Sequence, residues 1–572
     1  MSRVDVKKAS LCTSEPLSQE TVGHALSAFS KIVKSCFGPT GRLKQLHNGV
    51  GGRVRTTSHS SALLGSLSVT HPVLKLLTAS VQNHVSRFGD AGLFTAVLCC
   101  SLLEKWQGLS VAPCTRVKIS QHLLSQCLDY LPSEACGCKI PVDFSCSKIL
   151  LDLVRSVLAG KRACMLSRKE ADHVSMLILK AFLLTVPQNV GTGVGLGKCL
   201  YVPIKEKRVM DSMVCPGLLI ETPAFHQTQL LPARITALSP IRTALFSASL
   251  SGDAGDTGEG SIIVHHGVSL EAAVLDQLLS LGQRMVKDGV GLVVCQKVIH
   301  PALKQYLKEN QVVAVERVGA AMMEPLKEIT GSQPIPSLQF LSPACYGSLK
   351  GLQIQYFASK WFLHLIPEDQ AVCSLMLCNR SETSWDELKL ACQSAERVLQ
   401  LTLKDPWALC GGGCTETHLS SYLRHKNVDV PRSTLEDLGC SPAEFHRVAD
   451  SFCHSLESVA RSLEHDKGET LTDTTWGHCW SVPPDVPGDS RWSDFALKCG
   501  CGLCSSQQGL SWRVLHSQPC PFPPQSCVSA SSVTSADHPI LDCFAAKCNG
   551  LQVAVETACL LSGLSYIVED QN

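Results

Sequence analysis

Aromatic residues are scarce in this chain, at 5% of its 572 residues. That scarcity argues against the stacked aromatic platforms of single-strand nucleic-acid binders. Net charge is nearly absent as well. At +1, the chain has no general attraction to a polyanion or an anionic membrane. Neither nucleic acid nor membrane insertion is therefore expected. No uncharged apolar run reaches the ~18 residues that a spanning helix needs, and residues 1–8 lack the apolar core of a signal peptide. A cytosolic protein is the expectation.

What is abundant is cysteine, 30 in all. Many stand inside apolar helical patterns, as Cys99 and Cys100 do, and read as buried reduced thiols. Hydrophobic residues make up 45% and charged ones 18%, ordinary for a globular protein. The length exceeds what one core can serve, so two to four domains are expected.

Apolar spacing predicts helices over 18–37, 92–103, 149–158, 170–184, 386–403, 414–425 and 547–563, and a short strand and turn over 56–64. Gly38 and Pro39 end the first helix. The first part of the chain ends near the turn at Cys136-Gly137-Cys138. From about Asp211 the texture changes. Buried strands at 292–295 and 312–315 flank a helix at 302–307, the alternation of an α/β unit. Residues 465–540, with eight prolines among Ser, Gly and Cys, read as loop or as an elaborated insert.

The stretch 379–418 carries the most chemistry. A helical pattern through Leu388, Ala391, Cys392, Ala395, Val398, Leu399 and Leu403 breaks at Asp405-Pro406. Gly411, Gly412 and Gly413 follow, with Glu416 opening the next helix. Glycines at a helix start leave backbone amides at the positive end of the dipole, one way to hold a phosphate. Alone, the triplet fits a plain tight turn better than a phosphate loop. Gly38-Pro39-Thr40-Gly41, Gly89-Asp90 and Asp542 accompany it in chain order.

Together these four pieces resemble the nucleotide site of a group II chaperonin subunit of the cytosolic TCP-1 type. The resemblance covers nearly the whole chain. It implies an α+β multidomain subunit: a helical equatorial domain from 1–145 and 405–572, a small intermediate domain from 146–210 and 366–404, and an α/β apical domain from 211–365. It also implies that Gly38, Pro39, Thr40 and Gly41 wrap phosphate, that Gly411, Gly412, Gly413 and Glu416 form the opposite loop, and that Asp542 holds the ribose. Gly89 and Asp90 belong to a loop whose carboxylate would ligate magnesium.

The departures from that pattern matter more. The family's Gly-Asp-Gly-Thr-Thr reads Gly89-Asp90-Ala91-Gly92-Leu93, so both phosphate-binding hydroxyls are lost. Its Asn-Asp-Gly reads Ser58-His59-Ser60. Counted without gaps, the aspartate that activates the attacking water falls on Ser394, and a neutral hydroxyl cannot take that proton. Losing a general base costs ~10²–10⁴-fold in rate. ATP and magnesium are expected to bind weakly or not at all, with no useful hydrolysis, so the chain is not expected to act as an enzyme.

The runs 42–48, 386–390, 411–418 and 551–558 are similar to a specialised chaperonin-like group within the family. That likeness implies partners among other chaperonin-like subunits, the cytosolic chaperonin ring and client subunits of the BBSome. It places the protein in the cytoplasm, at the centrosome and ciliary basal body, with the nucleus as a further location. Asp211, Ser212 and Gly217 fall where the apical domain begins, and Cys295-Gln296-Lys297 falls at a strand end within it. The glycine-rich run 251–258 falls on the family's lid protrusion and predicts a shortened or disordered lid.

Two further runs carry weaker signals. Residues 191–198 depart from a P-loop, which wants glycine at Thr192 and Ser or Thr at Cys199, and they read as a loop. Cys501 and Cys504 make one metal-type pair with no second pair close in sequence. His478 and Cys520 could complete it only through folding, so structural thiols are the preferred reading.

Overall fold

The computed structural model describes residues 10–47, 54–187, 196–222, 231–232, 235, 239–252, 269–368, 372–466, 468–484, 495–496, 498–505, 510–515, 525 and 538–569. Two compact units divide the chain: 1–175 with 386–572, and 176–385. The run 1–8, most of the glycine run 191–198, the lid run from 253 to 258, and Cys520 lie outside the described residues.

The first unit is organised around the helix Gly92–Gln107. Its sequence is apolar on every side until Glu104 and Lys105, so no face of it can meet water. Glu20–Cys36, Pro72–Phe88, Pro442–Arg461 and Phe544–Ser562 pack around it. Gly550 permits the approach of Phe544–Ser562, since a Cβ there would stand 2.7 Å from Thr95 Oγ1. Local signals set the helix ends. His71 accepts from Val73 N ahead of Pro72, and Gly89 closes that helix in the left-handed region. Ser441 and Glu444 cap Pro442–Arg461 reciprocally.

Beside these helices runs an antiparallel sheet of Leu541–Cys543, Trp407–Cys410 and Lys139–Pro141, in that order. It brings Asp542 beside the strand that leads into the glycine triplet. Leu11–Ser14 pairs antiparallel with Tyr566–Glu569, so the two ends of the described chain form one ribbon.

The second unit is α/β. Ile241–Phe246, Val290–Cys295 and Val313–Val315 pair in parallel, and Gly347–Leu349 pairs antiparallel at the other edge. The helices Leu270–Lys287 and Pro301–Glu309 make the crossovers that parallel pairing requires. Val290–Cys295 is buried along its whole length, hence its unbroken apolar sequence. A three-stranded antiparallel sheet of Gly351–Phe357, Lys360–Ile366 and Leu218–Glu221 and a mixed sheet around Val372–Cys378 complete the unit.

Three sequence expectations need amendment. Residues 56–64 are a strand only at Arg55–Thr57. From Ser60 to Ser66 they are helical, because Ala62, Leu63 and Leu64 are all buried there. Within 465–540, Glu469–Asp473 pairs with both Cys479–Val482 and Trp512–Val514, giving a small antiparallel sheet rather than loop alone. Lys198 and Cys199 open the strand Lys198–Ile204. The described cysteines form no disulfides, and most are buried. Among the described residues no helix is long and apolar enough to cross a membrane.

Candidate nucleotide pocket

A cavity of about 410 Å³ opens within the first unit, in the size range of small-molecule sites. Gly38, Pro39, Thr40, Asp90, Gly412, Gly413, Glu416 and Asp542 all line it. Residues separated by more than 500 positions thus meet around one space. Gly41, Gly89 and Gly411 stand behind it and shape the loops. Gly41 N donates to Gly38 O at 3.1 Å, Gly89 ends its helix, and Gly411 N donates to Ile540 O at 2.8 Å.

Each loop is braced by neighbouring residues. Gly38 takes φ +84° with Leu463 against it. Thr40 Oγ1 donates to Leu463 O at 3.2 Å, and Arg162 donates to Thr40 O at the same distance. Gly412 and Gly413, at φ +63° and +85°, lead into the helix Cys414–Lys426. These are backbone conformations that side chains resist.

The charged groups form two cation–carboxylate sets. Lys161 Nζ is 3.8 Å from Asp90 Oδ1. Lys547, buried and stacked 4.0 Å over the Phe94 ring, bonds Asp542 Oδ2 at 2.8 Å and also pairs with Glu416 Oε1. Burial disfavours the Lys547 charge, but Asp542 and Glu416 more than offset it, and its pKa is raised. Glu416 Oε2 is buried without a hydrogen-bond partner.

Sequence reasoning overlooked Lys547 and Lys161. A signal for the first existed: Lys547 shares one buried stripe with Leu551, Ala554 and Ala558 on an otherwise apolar helix face. A charge in that register implies buried partners.

The loop at 89–93 has altered beyond its lost hydroxyls. Ala91 sits at φ 58° and ψ 13°, a left-handed conformation that costs a non-glycine residue ~1–2 kcal/mol. At Gly92 a Cβ would meet Val85 Cγ2 at 2.3 Å and Ser60 Oγ at 2.6 Å. A threonine could not simply be restored there.

Ser394 is buried, and its Oγ lies 2.8 Å from His59 Nε2. The opposite nitrogen of that ring, Nδ1, lies 2.8 Å from Ser61 Oγ. The side-chain partner of Ser394 is therefore an imidazole and not a carboxylate. Burial, aided by Lys161 and Arg55, lowers the His59 pKa to about 3, so the ring is neutral at physiological pH and a feeble base. The helix bearing Ser394 is tied to the same loop by Glu387, which accepts from Ser58 N at 3.2 Å and from Arg55 at 3.4 Å.

The model of the TCP-1/cpn60 chaperonin family matches residues 29–572. The chain belongs to that family. It is 57% identical to the molecular chaperone MKKS of Homo sapiens and 54% identical to that of Mus musculus, over 572 residues and the full length of each. A thermosome subunit alpha of Saccharolobus solfataricus is 22% identical over 413 residues, covering 70% of this chain and 72% of its own. The chain is an α+β multidomain chaperonin subunit. As a chaperonin, it lacks an acidic group at Ser394 and hydroxyls at 92 and 93, while Lys547 holds two of its pocket carboxylates. These residues do not fit a hydrolysing magnesium–nucleotide centre.

Three outcomes follow. Ala91→Gly raises the denaturant midpoint by the equivalent of about 0.5–1 kcal/mol, strain relief less added unfolded-state entropy. Lys547→Met leaves Glu416 and Asp542 facing each other and costs about 3–5 kcal/mol, part of which returns when Asp542→Asn is added. Between pH ~6.5 and 3 an unfolded His59 binds a proton that the folded one refuses, so stability falls as pH drops through this window. The slope from this residue approaches ~1.4 kcal/mol per pH unit, and His59→Asn flattens it in melts taken from pH 7 to 5.

Proposed function

We propose that this chain is a chaperonin-like assembly factor that binds client proteins, holds ATP weakly or not at all, and does not turn it over usefully. The observation that carries this reading is the Ser394–His59 pair, which puts a neutral hydroxyl and a weakly basic ring where hydrolysis needs a carboxylate. Relatives named as molecular chaperones over their full length support the chaperone part.

In the finer form of the proposal, the domains run as the family likeness implies, with 211–365 as the apical client-binding domain. Other chaperonin-like subunits and the cytosolic chaperonin ring are the partners. BBSome subunits are the clients, in the cytoplasm and at the centrosome and basal body. Asp90 is the candidate magnesium ligand if a nucleotide enters at all. Lys161 competes for that carboxylate, just as Lys547 competes for Asp542.

The alternative is an ordinary ATP-hydrolysing subunit, for which the retained cavity and the partnerless Glu416 oxygen speak. Thermal melts with ATP, with and without magnesium, separate the two when run beside a phosphate-release assay. The expected result is a shift of under about 2 °C at millimolar ATP and no release above buffer. A shift of several degrees, which mass action links to tight binding, together with turnover matching a thermosome control, would overturn the proposal.

A further inference from the structure

The insert that follows the helix Pro442–Arg461 returns to the glycine triplet in an unexpected way. Cys414 is the first residue of the helix after the triplet. His478 sits at the turn between Glu469–Asp473 and Cys479–Val482, and Cys499 and Cys501 lie on a short run that bridges back to Trp480 and Ser505. All four side chains are buried, and their sulfur and ring-nitrogen atoms lie within 4.8 Å of one another. Cys499 Sγ and Cys501 Sγ are 3.1 Å apart, and Cys501 Sγ is 3.6 Å from His478 Nδ1. Tetrahedral zinc, with bonds of ~2.3 Å to sulfur and ~2.0–2.1 Å to nitrogen, needs donor atoms at about this spacing.

We propose that Cys414, His478, Cys499 and Cys501 form a structural zinc site that staples the insert to the glycine triplet. Binding releases the three thiol protons and makes three Zn–S bonds and one Zn–N bond; nothing is oxidised or reduced.

The surroundings favour metal over mere thiol packing. Two sulfurs accept backbone hydrogen bonds, Cys414 Sγ from Cys501 N at 3.3 Å and Cys499 Sγ from Cys504 N at 3.2 Å. Such donors stabilise thiolate charge. A fourth thiol, Cys504, stands 3.3 Å from His478 Nδ1 at the edge of the group. His478 is held in place by the Asp473 carboxylate, which accepts from the backbone of Thr475, Gly477 and His478 and from Trp480 Nε1.

A second cluster serves as contrast. Cys136, Cys138 and His418 are also buried together. That group offers three side chains rather than four, and its ring lies 2.8 Å from Tyr130 Oη through Nε2 and 2.7 Å from Trp476 O through Nδ1. A structural zinc takes four protein ligands, so among the described residues this trio is one short.

The staple would act directly on the pocket. Gly500, between two of the ligands, lies so close to the triplet that a Cβ on Gly412 would fall 2.1 Å from Gly500 O. Gly412, Gly413, Ser481 and Gly500 all line the cavity.

The test is metal analysis of the full chain expressed with added zinc, with X-ray absorption at the zinc edge. The expected result is about one zinc per chain in a shell of three sulfurs and one nitrogen. Cobalt substitution should give intense tetrahedral d–d and thiolate charge-transfer bands. Cys501→Ser should lose the metal, whereas Cys138→Ser should keep it. Should Cys501→Ser fail to fold, the wild-type absorption and cobalt spectra decide alone. Folded protein with under about a tenth of an equivalent of zinc and no cobalt–thiolate band would overturn the site. A four-sulfur shell would overturn the role of His478.

Discussion

One buried ammonium ties the first unit together. Lys547 joins the final helix to Asp542 at the end of the central sheet and to Glu416 at the start of the helix after the glycine triplet. Burying a charge is costly, and only partners of the opposite sign make it tolerable. Two carboxylates meet that need and leave one unit of negative charge over. Such a triad adds little net stability compared with an apolar replacement, but it penalises any arrangement in which one of the three elements is displaced. The same groups line the cavity, so the pocket and the packing of the last helix are held by one set of interactions.

That double duty holds the loops of the cavity and the last helix in one arrangement. The backbone demands glycine in these loops: at Gly412 the left-handed turn and the nearby Gly500 carbonyl exclude any Cβ. Around them the polar groups pair within the protein. Asp90 faces Lys161, and Ser394 faces His59. Ala91 holds a conformation suited to glycine, and the departure there persists despite its strain. The frame is that of a chaperonin, and its carboxylates now pair within the protein.

Much of this was legible beforehand. Helical periodicity placed helices such as Glu20–Cys36, Gly92–Gln107 and Phe544–Ser562 to within a few residues, since each buries one stripe or all of its surface, but it left Pro72–Phe88, Pro113–Tyr130, Leu270–Lys287 and Pro442–Arg461 unread. The glycine loops, Asp90 and Asp542 could be named through the family resemblance, and they do come together around or beside one cavity. What stayed hidden depended on distant segments. Residues 60–66 coil into a helix because their apolar cluster meets a core that local spacing does not reveal. The sheet within 465–540 pairs short strands separated by prolines and cysteines, which carry weak periodicity. Cys414 joins His478, Cys499 and Cys501 from 87 positions before Cys501, and the Cys136 cluster with His418 is just as invisible in linear order.

The ribbon of Leu11–Ser14 with Tyr566–Glu569 has a consequence for cooperativity. It joins segments more than 550 positions apart, next to the helix Phe544–Ser562 that packs on Gly92–Gln107. Contacts between such distant segments form only after a large loop has closed. The first unit is thus built to assemble slowly and to come apart as one body.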